Sequence, residues 1–179
     1  CDKNRGILMP PNAHPANVLD KSMAWLGRAI SWCVPAMALL VLLIVVLRYG
    51  FNTGAIAAQE SVQYLHATLF MLGAAVTLGA DQHVRVDIFY RQFNARQKAW
   101  VNALGHIVFT LPLCGLIGMG SWDYVTDSWS AREASPEPGG LPLVFVLKTL
   151  IPAMAILLAL QSVSQIYRAI DVLRERGRS

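Results

Sequence analysis

Four long stretches of this chain contain no charged residue, and they constrain its fold more than any other feature. They cover residues 29–47, 61–80, 99–122 and 149–167. A helix needs about 20 mostly apolar residues to cross a hydrocarbon core roughly 30 Å thick, and each stretch has about that length. We therefore predict four membrane-spanning segments at these positions.

The spans are predicted to be helices, because they are continuous apolar runs and a backbone in lipid must satisfy its own hydrogen bonds. Hydrophobic residues make up 55% of the 179 residues and charged residues 15%, a balance unlike that of an average soluble domain. No segment left over is long enough for a separate domain of typical size. The predicted fold class is an all-α integral membrane protein with one four-helix domain over residues 25–168.

The Lys and Arg residues are divided unevenly between the two sides of the predicted bundle. Twelve of the fifteen lie in the two terminal segments and in the loop between the second and third spans. The other three are Arg48, Arg132 and Lys148. By the positive-inside rule, both termini and the middle loop are predicted to be cytoplasmic. Because the basic residues follow a membrane topology, the net charge of +4 does not indicate nucleic-acid binding.

Three segments outside the spans are too polar to cross a membrane. Residues 1–24, which have no periodic apolar pattern before Val18, are predicted to be a mobile cytoplasmic tail. Residues 169–179 are predicted to be a basic cytoplasmic tail. Residues 84–98 are predicted to form an amphipathic helix at the cytoplasmic interface, because apolar and aromatic side chains cluster on one face. These side chains are Val86, Phe89, Tyr90, Phe93 and Trp100.

Glu60 and Lys148 lie close to the predicted outer ends of spans. Glu60 is predicted to open the second span, where the macrodipole and the unpaired amides of the first turn favour an anion. Lys148 follows the apolar run 141–147, so either the fourth span begins near Pro142 or this run approaches along the interface. Two roles for Lys148 are open: its amine extends to the outer interface, or it pairs with Glu60 or with an acid of a partner.

Histidines in the spans raise the alternative of a haem-bearing or quinone-linked membrane anchor. His66 and His106 lie near opposite ends of their spans, so roughly 10 to 15 Å separates them along the membrane normal, too far to share one iron. Ligand-type side chains also occur at Asp81, His83 and Asp87. Their spacing is not distinctive, and with Arg85 between them it is more typical of a surface network. No cofactor and no metal are predicted.

The middle of each predicted span carries no charge, and we expect nothing more polar there than Ser, Thr or Cys. Ion and substrate paths usually depend on buried charges, and secondary transporters usually show repeats and interrupted helices; the sequence indicates neither. We therefore do not expect the chain to move a solute alone, and an autonomous exporter or channel stays an alternative. Ala75 and Gly79, like the glycines between 115 and 120, favour close packing inside this bundle or against another subunit.

Several motifs make the chain similar to a known family. In chain order they are Glu60 with Tyr64 and His66, HVRVDIFY at residues 83–90, AW at 99–100, and SPEPGGLP at 135–142 with Lys148 downstream. On these residues, and over about residues 25–168, the chain resembles the small membrane subunit, of the DctQ type, of tripartite ATP-independent periplasmic (TRAP) transporters. The last motif resembles the subgroup labelled mannitol or chloroaromatic-compound transport.

The resemblance implies a transporter made of three proteins in the bacterial inner membrane. A soluble periplasmic protein captures an organic acid, a large multispanning subunit carries it by a sodium-coupled elevator movement, and the small subunit stabilises the fixed scaffold among membrane lipids. The chain is then neither an enzyme nor a nucleic-acid-binding protein. The residues expected to order the bundle or to contact partners are Glu60, Tyr64, His66, His83, Arg85, Asp87 and Lys148.

Overall fold

The computed structural model describes residues 14–79 and 93–175, and within these ranges it contains helices and connecting loops but no strand. In chain order the elements are α1 (His14–Ser31), α2 (Cys33–Gly50), α3 (Ile56–Gly79), α4 (Ala95–Gly105), a π-helical segment (His106–Thr110), α5 (Leu111–Gly120), α6 (Trp122–Ser130) and α7 (Val144–Glu175). Four helical stretches are long and apolar enough to cross a membrane, which confirms the predicted fold class. They are Lys21–Gly50, Ile56–Gly79, Arg96–Ser130 and Val144–Asp171.

The spans alternate in direction, so α3 in the second span and α7 in the fourth run parallel, and the bundle has two distinct ends. We call the end that carries the connections 51–55 and 131–143 the loop end. We call the opposite end, where α3 ends, α4 begins and α7 ends, the tail end. The parallel pairing follows from two contacts: Glu60 binds the backbone of Leu141 at the loop end, and Gln165 binds the backbone of Gly79 at the tail end.

The first span contains a break between α1 and α2. Pro35 has no N–H, so the carbonyl of Ser31 loses the donor that an α-helix supplies four residues later. The break falls at Trp32, whose N–H bonds to the carbonyl of Ala29 at 3.3 Å in a tighter turn. The first span is therefore two helical segments joined at a proline, rather than one regular helix.

Helix α1 begins at His14, so the predicted mobile tail over residues 1–24 is wrong from that residue onward. The reason lies in tertiary packing. Met23 and Ile30 are buried, and a Cβ at Gly27 would lie 2.9 Å from a methyl group of Val76 in α3. Contact with α3 stabilises a helix that the local sequence does not clearly indicate. Residues 1–13 lie outside the described residues.

Small residues of α3 pack inside this chain. Ala75 is fully buried, and a Cβ at Gly79 would lie 2.7 Å from Nε2 of Gln161 in α7. In the third span, by contrast, a Cβ at Gly115 or Gly120 would meet nothing within 4 Å among the described residues. The small residues of α3 therefore pack inside this bundle rather than against another subunit. Gly115 and Gly120 instead lie where the bundle surface is open.

The third span contains a π-helical turn that the sequence-based expectation of uninterrupted helices missed. Pro112 lacks an N–H and cannot donate within the helix. Directly before it, the N–H of Leu111 bonds to the carbonyl of His106, five residues earlier. The segment His106–Thr110 therefore forms one wide π-helical turn, of the kind that is frequent at functional sites.

The C-terminal part of α7 extends the bundle at the tail end. This helix has 32 residues, which gives a length of about 48 Å, more than the roughly 30 Å of a hydrocarbon core. Its last turns pack on α4, where Ala99 and Ala103 meet Ala169, with Leu173 beside them. The predicted separate tail over residues 169–179 is therefore part of the bundle as far as the helix is described.

The start of α4 differs from the predicted amphipathic helix over residues 84–98. Residues 80–92 lie outside the described residues, so that part of the prediction is not tested. Asn94 has an extended backbone (φ −66°, ψ 159°) and caps α4, and its N–H donates to Oε1 of Gln97 at 2.9 Å. Because this reciprocal capping starts a new helix, residues 95–98 form the first turn of the third span rather than the end of a surface helix.

Candidate functional site

The structure places two of the predicted site residues, Glu60 and Lys148, in adjacent contacts at the loop end. Both bind the connection 131–143, each through a different part of it. The three candidates from the middle loop, His83, Arg85 and Asp87, lie outside the described residues.

Glu60 fixes loop 131–143 to the start of the second span. It is the fifth residue of α3, which begins at Ile56, so the prediction that it opens the helix is wrong. Its Oε1 accepts a hydrogen bond from the hydroxyl of Ser135, and its Oε2 accepts one from the N–H of Leu141 at 2.6 Å. One carboxylate therefore binds Ser135, the first residue of the run SPEPGG at 135–140, and Leu141, the residue that follows this run.

The segment 135–141 is also closed by its own backbone hydrogen bonds. The N–H of Ser135 donates to the carbonyl of Leu141 at 3.1 Å, and the N–H of Gly140 donates to the carbonyl of Glu137 at 3.0 Å. A Cβ at Gly140 would lie 2.7 Å from Oε1 of Glu60. Glycine is therefore required for the close approach of this backbone to the carboxylate.

Lys148 pairs with Glu133, so of the alternatives left open by the sequence, the pair with Glu60 does not form. Its Nζ donates to Oε2 of Glu133, which also accepts the hydroxyl of Ser128 at 2.6 Å. The same amine lies 3.8 Å from the ring centroid of Tyr124, a cation–π contact. Hydrogen bonds from Lys148 and Ser128 hold the pKa of Glu133 below its ordinary value of 4.5.

The start of α7 answers whether Lys148 lies inside the fourth span or before it. The helix starts at Val144, so Lys148 lies within its first turns rather than before it. Next to it, Nε1 of Trp129 donates to the hydroxyl of Thr149 at 2.8 Å, and the Trp129 ring meets Phe145 edge-on with centroids 4.7 Å apart. These contacts attach the short helix α6 to the outer turns of α7.

Tyr64 and His66 do not join the contacts at the loop end. The hydroxyl of Tyr64 is buried one turn after Glu60, and no group in the described ranges hydrogen-bonds to it. His66 is exposed and stacks on Phe70 of the same helix, with ring centroids 6.5 Å apart. In the part of the chain that the structure describes, no three His, Cys, Asp or Glu side chains gather as a metal site would require.

A polar set in α7 at the tail end was missed by the sequence reasoning. Nε2 of Gln165 donates to the carbonyls of Leu78 and Gly79 at 3.3 and 3.5 Å, the last carbonyls of α3. Gln161 and Ser162 are fully buried, and neither side chain has a hydrogen-bond partner among the described residues. The expectation of nothing more polar than Ser, Thr or Cys in the middle of the spans did not include this buried amide of the fourth span. The signal was two glutamines four residues apart, on one helix face.

The loop-end contacts have the chemistry of structural attachment. Glu60 uses both carboxylate oxygens on loop 131–143, and Glu133 uses one oxygen on a lysine and a serine. Charge-assisted hydrogen bonds of this type are stronger than neutral ones and fix geometry. Together they join α3, α6 and α7 through one loop.

A comparison with protein families matches residues 37–172 to the family described as tripartite ATP-independent periplasmic transporters, DctQ component. The matched residues include the loop-end contacts and the π-helical turn. The chain belongs to the DctQ family. This confirms the resemblance drawn from the motifs, and because DctQ proteins are transporter components, it also confirms that the chain is not an enzyme.

Two curated proteins are similar to this DctQ chain. A protein of Haemophilus influenzae, named as a TRAP transporter small permease, is 36% identical over 86 residues, which cover 48% of this chain and 53% of that protein. The C4-dicarboxylate TRAP transporter small permease protein DctQ of Vibrio cholerae is 28% identical over 114 residues, covering 61% and 49% respectively. The chain thus spans about half the length of the curated relatives it matches. No solved structure matches the chain.

Proposed function

We propose that this chain is the small, non-catalytic scaffold subunit of a sodium-coupled transporter that imports an organic acid delivered by a periplasmic binding protein. The main observation in support of the proposal is that the predicted spans contain no charged residue. Residues 29–47, 61–80, 99–122 and 149–167 contain no charge, whereas Glu60 and Lys148 at their margins are used on contacts within the chain. Such spans favour a supporting role over a path for a charged solute.

In this proposal the chain lies in the bacterial inner membrane with both termini cytoplasmic. The tail end then faces the cytoplasm and the loop end faces the periplasm, because twelve of the fifteen Lys and Arg residues belong to the former side. Reporter fusions that are active only in one compartment test this orientation. A periplasmic reporter that is active after residue 175, and inactive in loop 131–143, would reverse it.

The proposed contact with the large subunit is the exposed face of α2 and α3. No residue of α2 is buried, and Leu39 and Leu42 are 67% and 60% exposed. His66 and Phe70 of α3 are also exposed. They follow the connection 51–55 by about as many residues as Leu39 and Leu42 precede it. This face gives His66 a role in partner contact, while Glu60, Tyr64 and Lys148 order the bundle.

Reconstitution tests the scaffold role directly. Proteoliposomes would contain the large subunit encoded with this chain, with or without the chain, and would receive the binding protein and a labelled organic acid. We expect uptake under an inward sodium gradient only when the chain is present. Full uptake by the large subunit without the chain would refute the scaffold role, and uptake that ignores the sodium gradient would refute the coupling.

Cross-linking tests the proposed face separately. In a variant whose three cysteines, Cys1, Cys33 and Cys114, are replaced by serine, Leu39→Cys and Phe70→Cys should cross-link to the large subunit. The matched control is Leu116→Cys, because Leu116 is 72% exposed on α5, in a different span. Equal cross-linking from all three positions, or from Leu116→Cys alone, would contradict the proposed face.

A further inference from the structure

A groove at the start of the third span combines an apolar lining with one cation. It has a volume of about 440 Å³ and is lined by Phe93, Arg96, Gln97, Trp100 and Val101. These residues follow helical spacing along one side of α4, with Phe93 just before the capping residue. Trp100 and Val101 are 58% and 47% exposed. The surface of the groove is almost wholly apolar except for its charged rim.

The cation of this groove is not neutralised within the described residues. Arg96 is exposed, and no carboxylate in residues 14–79 or 93–175 pairs with it. Gln97 also lines the groove, and its Oε1 accepts the N–H of Asn94 at 2.9 Å, which holds its side chain in place. The amide N–H groups of Gln97 remain as neutral donors beside the guanidinium.

The groove lies at the start of the third candidate span, where the boundary between lipid headgroups and hydrocarbon is expected. Arg96 is the first residue of the candidate span Arg96–Ser130, and Trp100 follows it by one turn. Tryptophan is enriched at this boundary, where its ring sits at headgroup level. An arginine at the same level can bind a phosphate with two parallel hydrogen bonds.

From this combination we infer that the groove binds an anionic phospholipid. The phosphate lies on Arg96, with Gln97 as a neutral donor, and an acyl chain lies along Trp100 and Val101. Charge complementarity selects this occupant over a neutral lipid, since basic pockets at membrane surfaces attract anionic headgroups. With the proposed orientation, the lipid belongs to the cytoplasmic leaflet. The binding itself does not depend on that orientation or on the transporter assignment.

Native mass spectrometry of the purified full chain tests this inference. The delipidated chain in detergent would be titrated with phosphatidylglycerol and, separately, with phosphatidylcholine. We expect Arg96→Gln to weaken phosphatidylglycerol binding about fivefold, the effect of about one surface cation, and to leave phosphatidylcholine binding unchanged. Arg96→Lys should retain most of the affinity, and Trp100→Ala should weaken binding of both lipids.

The matched control is Arg28→Gln, which removes another exposed arginine near the tail end. Equal loss of phosphatidylglycerol from Arg28→Gln and Arg96→Gln would overturn the inference, because it would show general attraction to basic residues. So would equal affinity of the unchanged chain for the two lipids. A dimer that Trp100→Ala dissociates and phosphatidylglycerol does not affect would show a second copy as the occupant instead. Circular dichroism of each variant confirms that its helices are intact.

Discussion

Replacing either of two glutamines that lie one turn apart in α7 is predicted to change the stability of the bundle, in opposite directions for the two positions. Gln165 donates to the last carbonyls of α3, whereas Gln161 is 0% exposed with no partner for its amide in the described ranges. Leucine is close to glutamine in size and cannot form either kind of hydrogen bond. The substitutions Gln165→Leu and Gln161→Leu therefore differ mainly in what they remove: a satisfied amide in one case and an unsatisfied amide in the other.

The size of each effect follows from these contacts. The two bonds of Gln165 are long, at 3.3 and 3.5 Å. Hydrogen bonds between membrane helices average about 0.6 kcal/mol, so losing both should destabilise the bundle by about 1 kcal/mol. Burying an unpaired amide costs about 1 to 3 kcal/mol in proteins. Because the unfolded chain in a micelle also leaves part of this amide dehydrated, we expect Gln161→Leu to stabilise by about 1 kcal/mol.

The assay is unfolding of the purified chain by increasing mole fractions of sodium dodecyl sulfate, followed by circular dichroism and tryptophan fluorescence. Gln165→Leu should be less stable than the unchanged chain and Gln161→Leu more stable. Their free energies of unfolding should differ by about 2 kcal/mol, or about 30-fold in the unfolding equilibrium. Equal destabilisation by Gln161→Leu and Gln165→Leu would refute the reasoning. It would show that the amide of Gln161 contributes favourable contacts and that leucine cannot fit beside Gly79.

Two further predictions concern the loop end. The lowered pKa of Glu133 gives a stabilisation that is complete above its ordinary value of 4.5 and is lost as pH falls through the lower folded-state pKa. Hydrogen-exchange protection of amides 128–135 should therefore fall only below pH 4.5, and in Glu133→Gln it should lose this pH dependence; a fall beginning at neutral pH would contradict it. Gly140→Ala should increase proteolysis of loop 131–143, because its Cβ would lie 2.7 Å from a carboxylate oxygen, whereas Gly54→Ala, with nothing within 4 Å, should not. Equal cleavage of the two variants would argue against the tight approach.

The candidate site was predicted in part from charge position alone. Glu60 and Lys148 were found because they are charged residues at the margins of uncharged spans, where a membrane protein places functional or anchoring groups. Their partners were not predicted. Ser135 and Leu141 lie 75 and 81 residues from Glu60, and no local pattern connects positions so far apart. Gln161 was overlooked because an uncharged amide does not interrupt a hydrophobic run.

The apolar runs alone indicate four spans, and the motifs indicate which family the chain resembles, whereas the bounds of the helices come from the structure. Insertion into lipid depends on the composition of about 20 consecutive residues, and this composition is visible in the sequence. Three features were evident only from the folded chain: Lys148 binds Glu133, residues from His14 onward are helical, and Gln165 caps α3. These outcomes depend on which helices meet and at what height. Packing between helices selects among contacts that the local sequence allows equally.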